Sequence, residues 1–150
     1  MTVLVRTAAH RAAVAAAALG IAGAAIGAGS AVAHADPAGH QVTYTVTATG
    51  DLTGNVRYIT ADPPSQVAFN ANSGQFLTTV PVSFAAGQPL VYTATLTNPN
   101  QWAFVNASGG CHWPNCGSGA PEIQCQIAVD GQVVVTQSAT TGVTCSTRPW

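Results

Sequence analysis

Residues 36–150 predict an all-β domain, an immunoglobulin-like antiparallel sandwich of about seven to nine strands. Three observations predict it. Short apolar runs of period two recur between Gly, Pro, Asn and Asp punctuation, and no window sustains a 3.6-residue apolar period. Asp130-Gly131 follows the alternating run Ile123, Cys125, Ile127, Val129 and precedes a β-branched run. That dipeptide signals a tight hairpin, because Asp and Gly tolerate positive φ. All four cysteines, Cys111, Cys116, Cys125 and Cys145, fall in the last 40 residues.

The elements follow in chain order. Met1 to Arg11 carries two arginines and no acid, Ala12 to Ala33 is almost wholly apolar, and Ala33-His34-Ala35 precedes Asp36-Pro37. A basic head, an apolar middle and an A-x-A exit form the pattern of a secretory signal peptide, with cleavage expected after Ala35. The competing reading of residues 1–35 is an uncleaved anchor, since about 20 apolar residues span a bilayer. The domain itself then occupies residues 36–150.

Gln41 to Thr49 places Val42, Tyr44, Val46 and Ala48 on one face and threonines on the other, a half-buried strand. Asn55 to Thr60 is a second strand, closed by Asp62-Pro63-Pro64-Ser65. Gln66 to Phe69 is a short strand candidate. Gln75 to Phe84 contains Pro81, so that strand either breaks there or lies at an edge. Leu90 to Thr97 alternates cleanly, and Trp102 to Asn106 is a further short strand. Ser108 to Pro121 is rich in Gly, Pro and Cys and is expected as a surface loop.

The return strand after Asp130-Gly131 has an open register. A two-residue loop sets Ile127 opposite Val134, and a three-residue loop sets it opposite Val135. Val133, Val134 and Val135 are all apolar, so periodicity does not choose. Trp102, Phe104 and the Cys125–Cys145 pair are the expected large core pieces.

Beyond residue 35 the chain has five acids, two arginines (Arg57 and Arg148) and no lysine, a net charge of −3. Such a surface excludes nucleic acid and disfavours an anionic bilayer, because no basic patch is present. An even cysteine count on an exported chain favours disulfides. Three pairings exist, of which Cys111–Cys116 with Cys125–Cys145 is favoured. Closing the second loop is worth about 3 kcal/mol on the chain-entropy account.

Cys111-His112-Trp113-Pro114-Asn115-Cys116 invites a zinc reading with Cys111, His112, Cys116 and Cys125. Adjacent Cys and His are awkward ligands for one tetrahedral ion, and export favours oxidation. The spacing is not that of a C-x-x-C redox motif. No metal and no cofactor are expected. Asn98 to Pro121 is instead a candidate recognition loop carrying Trp102, His112 and Trp113, or one in which Trp113 folds back onto the sandwich. Each acid neighbours Gly or Pro and reads as a turn residue, Asp130 included. Arg57 is a conceivable anion-binding group, but a lone Arg on a strand reads as a solvated face residue. No Ser, His and Asp order or paired-carboxylate spacing points to catalysis, and the chain is expected to be non-enzymatic.

VTYTVTATG at Val42 to Gly50, VRYITAD at Val56 to Asp62, IQCQIAVDGQVV at Ile123 to Val134 and the late Cys145 resemble the mycobacterial small membrane protein (MmpS) family. The resemblance implies a periplasmic sandwich with a Cys125–Cys145 bridge. It also implies work beside an MmpL-type exporter of lipids or siderophores, with that transporter or a lipidic ligand as partner. The cleavable-looking Ala33-His34-Ala35 and the loop Asn98 to Pro121 depart from that family. The alternative is a freely secreted binding or antigen-like module with no transporter. Localisation is expected to be secreted or in the cell envelope, membrane-anchored if residues 1–35 stay attached.

Overall fold

The computed structural model describes residues 39–111 and 119–148. The expected export segment, His112, Trp113 and Cys116 lie outside them. Eight strands form two four-stranded sheets in which every pairing is antiparallel. In chain order the strands are β1 (His40–Ala48), β2 (Leu52–Ile59), β3 (Leu77–Phe84), β4 (Leu90–Leu96), β5 (Phe104–Gly110), β6 (Ile123–Val129), β7 (Gln132–Ala139) and β8 (Gly142–Ser146). The first sheet has the order β4-β1-β6-β7 and the second β3-β2-β5-β8.

The period-two rule places the core. Val42, Tyr44, Val46 and Ala48 of β1 are buried, and Ile123, Cys125 and Ile127 of β6 lie in register beside them. From the second sheet Leu52 and Val56 of β2, Val105 and Ala107 of β5, and Val143 and Cys145 of β8 close the layer. The alternate threonines of β1 sit on the outer face, where a pleated sheet leaves them to water.

Several expectations are corrected. Gln66–Ala71 is a helical turn, α1, and not a strand. Ser65 caps it: its extended backbone leaves the hydroxyl to accept the Ala68 N–H at 3.1 Å. Gln66 Nε2 donates to Asn70 Oδ1 at 2.8 Å, four residues on. Such local bonds outweigh two alternating apolar residues, of which Val67 ends exposed. A 3-10 turn, Ser73–Gln75, follows. Pro99–Trp102 is likewise a helical turn, α2, so β5 starts only at Phe104. β5 then runs to Gly110, taking the first residues of the expected 108–121 loop. Of the two outcomes expected for the Pro81 strand the edge position holds: β3 continues through Pro81, bonded only to β2. A missing N–H is tolerated at an edge.

The β6–β7 hairpin combines both register alternatives. Asp130 and Gly131 have φ of 50° and 82°, the pair of positive values that a tight two-residue turn needs. Val129 faces Gln132 and Ala128 faces Val133, as in a two-residue loop. A bulge then shifts the ladder, and Ile127 meets Val135. The bulge leaves Val133 and Val134 exposed, 55% and 48%.

β8 does not join β6 and β7 as a third strand of one sheet. The chain crosses between sheets after Ala139, and β8 pairs with β5. Cys125 and Cys145, 6.0 Å apart at Cα, therefore link one sheet to the other. Cys111 is disulfide-bonded as well. Buried disulfide chemistry of this kind fits an extracytoplasmic location. Among the described residues no helix is long and apolar enough to cross a membrane.

The crossings are pinned by carboxylates. Asp51 Oδ1 accepts the Ala86 N–H at 2.9 Å, fastening the β1–β2 crossing to the β3–β4 crossing. Asp62 accepts the N–H groups of Thr97 and Asn98 at 2.6 and 2.9 Å. Asp130 accepts the Gln41 N–H at 2.9 Å and contacts His40 Nδ1 at 2.6 Å. These acids serve as turn residues; Asp51 and Asp62 also reach a second connection, and Asp130 reaches the start of β1.

Candidate functional site

The long β2–β3 connection lays α1 and the 3-10 turn beside the outer face of the second sheet. Phe69 of α1 is the residue that fastens it, with ring centroids 6.5 Å from Phe76 and 6.0 Å from Trp102. Trp102 is only 3% exposed. The Arg148 guanidinium lies over its ring, 4.7 Å from the centroid, and Arg148 also donates to Gln66 Oε1. The C-terminal tail thereby holds α1 down by a cation–π contact and a hydrogen bond. Trp102 belongs with the core pieces, and its place as a recognition residue is corrected: a covered ring offers nothing to a partner. Thr147 reinforces the tail, donating through Oγ1 to Pro99 O at 2.7 Å.

Between this cap and the sheet lies a half-open cleft of about 380 Å³, lined by Arg57, Phe69, Ser73, Leu77, Phe104 and Asn106. The ladder explains the grouping. Arg57 of β2 stands opposite Thr79 on β3 and opposite Asn106 on β5, so Arg57 and Asn106 share one outward row. Leu77 and Phe104 lie one row along, toward the cap. Asn106 Nδ2 donates to Val143 O at 3.2 Å and to Thr144 Oγ1 at 2.9 Å, which fixes its amide. Arg57 is exposed and makes no salt bridge or side-chain hydrogen bond among the described residues.

Among the described residues, Arg57 is thus the guanidinium without a side-chain hydrogen bond or ion pair, in contrast to Arg148. It faces apolar walls drawn from three other elements. A guanidinium offers a planar fork of donors suited to carboxylate or phosphate oxygens. Arg57 is solvent-exposed, as its strand position suggested, but the cleft around it is built from residues distant in sequence. No local motif announces them.

A second cleft, about 340 Å³, lies at one end of the first sheet and is lined by Thr47, Ala48, Thr49, Gly87, Glu122 and Gln124. Its rim is closed by Thr49 and Glu122: Glu122 N–H donates to Thr49 Oγ1 at 2.9 Å, and Thr49 N–H to Glu122 O at 2.9 Å. Three tyrosines gather inside the sandwich. Tyr58 lies 5.4 Å from Tyr44 and 4.8 Å from Tyr92, stacked on the latter. Tyr44 donates its hydroxyl to Ile59 O at 3.0 Å. Burial pushes the Tyr44 pKa well up, only partly offset by hydrogen bonding from the Phe104 backbone. Burial and the neighbouring Tyr58 raise that of Tyr92. Both phenols therefore stay neutral and packed. The Asp130 carboxyl titrates below its ordinary range, through the His40 hydrogen bond first and the Gln41 N–H second.

Comparison with known proteins bears on identity. A family model described as the Rv2576c beta-sandwich domain matches residues 44–145. The uncharacterized protein Rv2576c of Mycobacterium tuberculosis strain H37Rv is 60% identical over 120 residues, covering 80% of this chain and 74% of that protein. The uncharacterized protein Mb2606c of Mycobacterium bovis matches to the same extent. These findings overturn the resemblance to MmpS. Apart from Val42 and Thr43, every segment that carried it falls inside residues 44–145. Alternating Val and Thr with an Asp-Gly turn is what any antiparallel sandwich requires, so such strands do not discriminate between families. The MmpL-type partner rested on that resemblance and loses its support. The chain belongs to the Rv2576c beta-sandwich domain family.

Proposed function

We propose that this chain is an exported, non-catalytic binding module that receives its ligand on the outer face of the second sheet. One observation carries the proposal: Arg57, exposed and without a protein partner among the described residues, stands in a cleft walled by Phe69, Leu77 and Phe104. An exposed guanidinium beside apolar walls offers an anion contact and apolar area in one place. The frame behind it is well suited to display. The interior is filled by packed side chains, the crossings are pinned by carboxylates, and the two sheets are joined through Cys125–Cys145.

The leader-like pattern of residues 1–35 and the disulfides support export. Intact mass spectrometry of the chain recovered from culture medium, under native and denaturing conditions, tests the reading. A chain starting at Asp36, oxidised, and carrying a non-covalent small-molecule adduct is expected. An adduct-bearing chain in the envelope that still starts at Met1 supports an anchored form of the same module. A reduced chain confined to the cytoplasm overturns the proposal.

A further inference from the structure

We infer that the Arg57 cleft takes a small organic anion, a carboxylate or phosphate carried on an aromatic ring or short acyl chain. This rests on the binding reading above and names its ligand class. The guanidinium supplies the anion contact, worth roughly twice a neutral hydrogen bond per donor. Phe69, Leu77 and Phe104 supply apolar area at about 25 cal/mol per Å² removed from water. Inorganic phosphate alone would leave those walls unused, and an alkane would leave Arg57 desolvated without a partner.

Asn106 adds a second preference. Both hydrogens of its Nδ2 are engaged by β8, to Val143 O and Thr144 Oγ1. Among the described residues its Oδ1 accepts no hydrogen bond, and it selects for a hydroxyl on the ligand. The volume, about 380 Å³, suits one ring or a short chain and is too small for a full lipid tail pair.

A free anion fits better than the headgroup of a bilayer. The described residues hold four carboxylates, Asp51, Asp62, Glu122 and Asp130, against two guanidiniums, of which Arg148 is engaged with Trp102 and Gln66. Binding to anionic membranes calls for clusters of several basic residues, which this surface lacks.

The probes are 4-phenylbutyrate, its uncharged analogue 4-phenylbutanamide, and butyrate, which lacks the ring. Each is titrated into the oxidised protein and followed by backbone amide shifts. The account expects 4-phenylbutyrate to move the amides of Arg57, Ser73, Leu77 and Asn106. It expects the amide analogue and butyrate to bind at least about tenfold more weakly, a loss of about 1.4 kcal/mol each. Arg57→Gln, at an exposed position that leaves the fold intact, is expected to weaken 4-phenylbutyrate by about tenfold, and Leu77→Ala to weaken it while leaving the preference for charge. Equal binding of 4-phenylbutyrate to wild type and Arg57→Gln overturns the inference. So does the absence of shifts at about ten millimolar, or tighter co-sedimentation with phosphatidylglycerol vesicles than with phosphatidylcholine ones. A negative titration beside a native adduct of another class would sink the ligand assignment and leave the binding reading standing.

Discussion

On one flank of the sandwich, β6 and β8 are joined covalently through Cys125 and Cys145, and small side chains such as Val143 and Ala107 fill the gap. On the other flank no covalent link spans the described residues. Tyr44, Tyr58 and Tyr92 hold the sheets apart there, and α1 with its 3-10 turn covers the outside through Phe69. The difference teaches a division of labour. A cross-linked flank fixes the frame, so the opposite flank can carry irregular backbone and a cleft without jeopardising the fold. The cleft lining comes mostly from that second flank: Arg57, Phe69, Ser73 and Leu77.

The sharpest way to break this contrast is to remove the cross-link. Cys125→Ser with Cys145→Ser is expected to cost about 3 kcal/mol, the loop closing 20 residues of separation. Urea unfolding followed by far-ultraviolet circular dichroism measures it. Next comes Gly54, at the joint between β2 and β5. A Cβ there would lie 1.9 Å from Ser108 O and 2.6 Å from Gly109 Cα, both backbone atoms that must shift. Gly54→Ala is expected to destabilise by about 1–3 kcal/mol, as overpacking does. The thermal midpoint should fall accordingly, and an unchanged midpoint would mean the strands are not so close.

Tyr44→Phe probes the aromatic flank alone. It deletes the donor to Ile59 O in a buried site, a loss of about 1 kcal/mol. Wild-type stability should also decline above about pH 10: burial raises the folded phenol's pKa above its unfolded value, so the contribution is complete below the unfolded value and lost as pH rises toward the folded one. The phenylalanine variant should lose the part of that alkaline slope due to Tyr44.

Asp130 gives the smallest effect and the opposite sign. Its folded pKa is lowered, so its contribution is present above the unfolded carboxylate range and lost as pH falls through the folded value. Asp130→Asn should lower neutral stability slightly, flatten the acid limb of the stability profile and converge with wild type in acid. A parallel acid limb in the variant would show that the His40 and Gln41 contacts do not operate in solution.

How much was legible beforehand depended on range. Val42, Tyr44, Val46 and Ala48 alternate with threonines, and the structure buries them as a strand. Asp130-Gly131 announced its turn, since a positive φ at both residues leaves few alternatives. α1 was misread because Gln66 to Phe69 is too short for periodicity to arbitrate, and a single capping serine decided it. The register past Ile127 was settled by a bulge that three consecutive valines conceal. From sequence Arg57 reads as a solvated strand residue because its surroundings come from residues 69, 73, 77, 104 and 106, which only the folded ladder assembles. The family likeness misled for a related reason: generic strands carry packing information and little ancestry.

The two-flank account is tested most directly by native-state amide hydrogen exchange on the oxidised protein, read residue by residue. It predicts the slowest exchange in β5, β6 and β8, opening only with global unfolding, and faster, sub-global opening in α1 and β3. Exchange in α1 and β3 as slow as in β6 and β8 would contradict it.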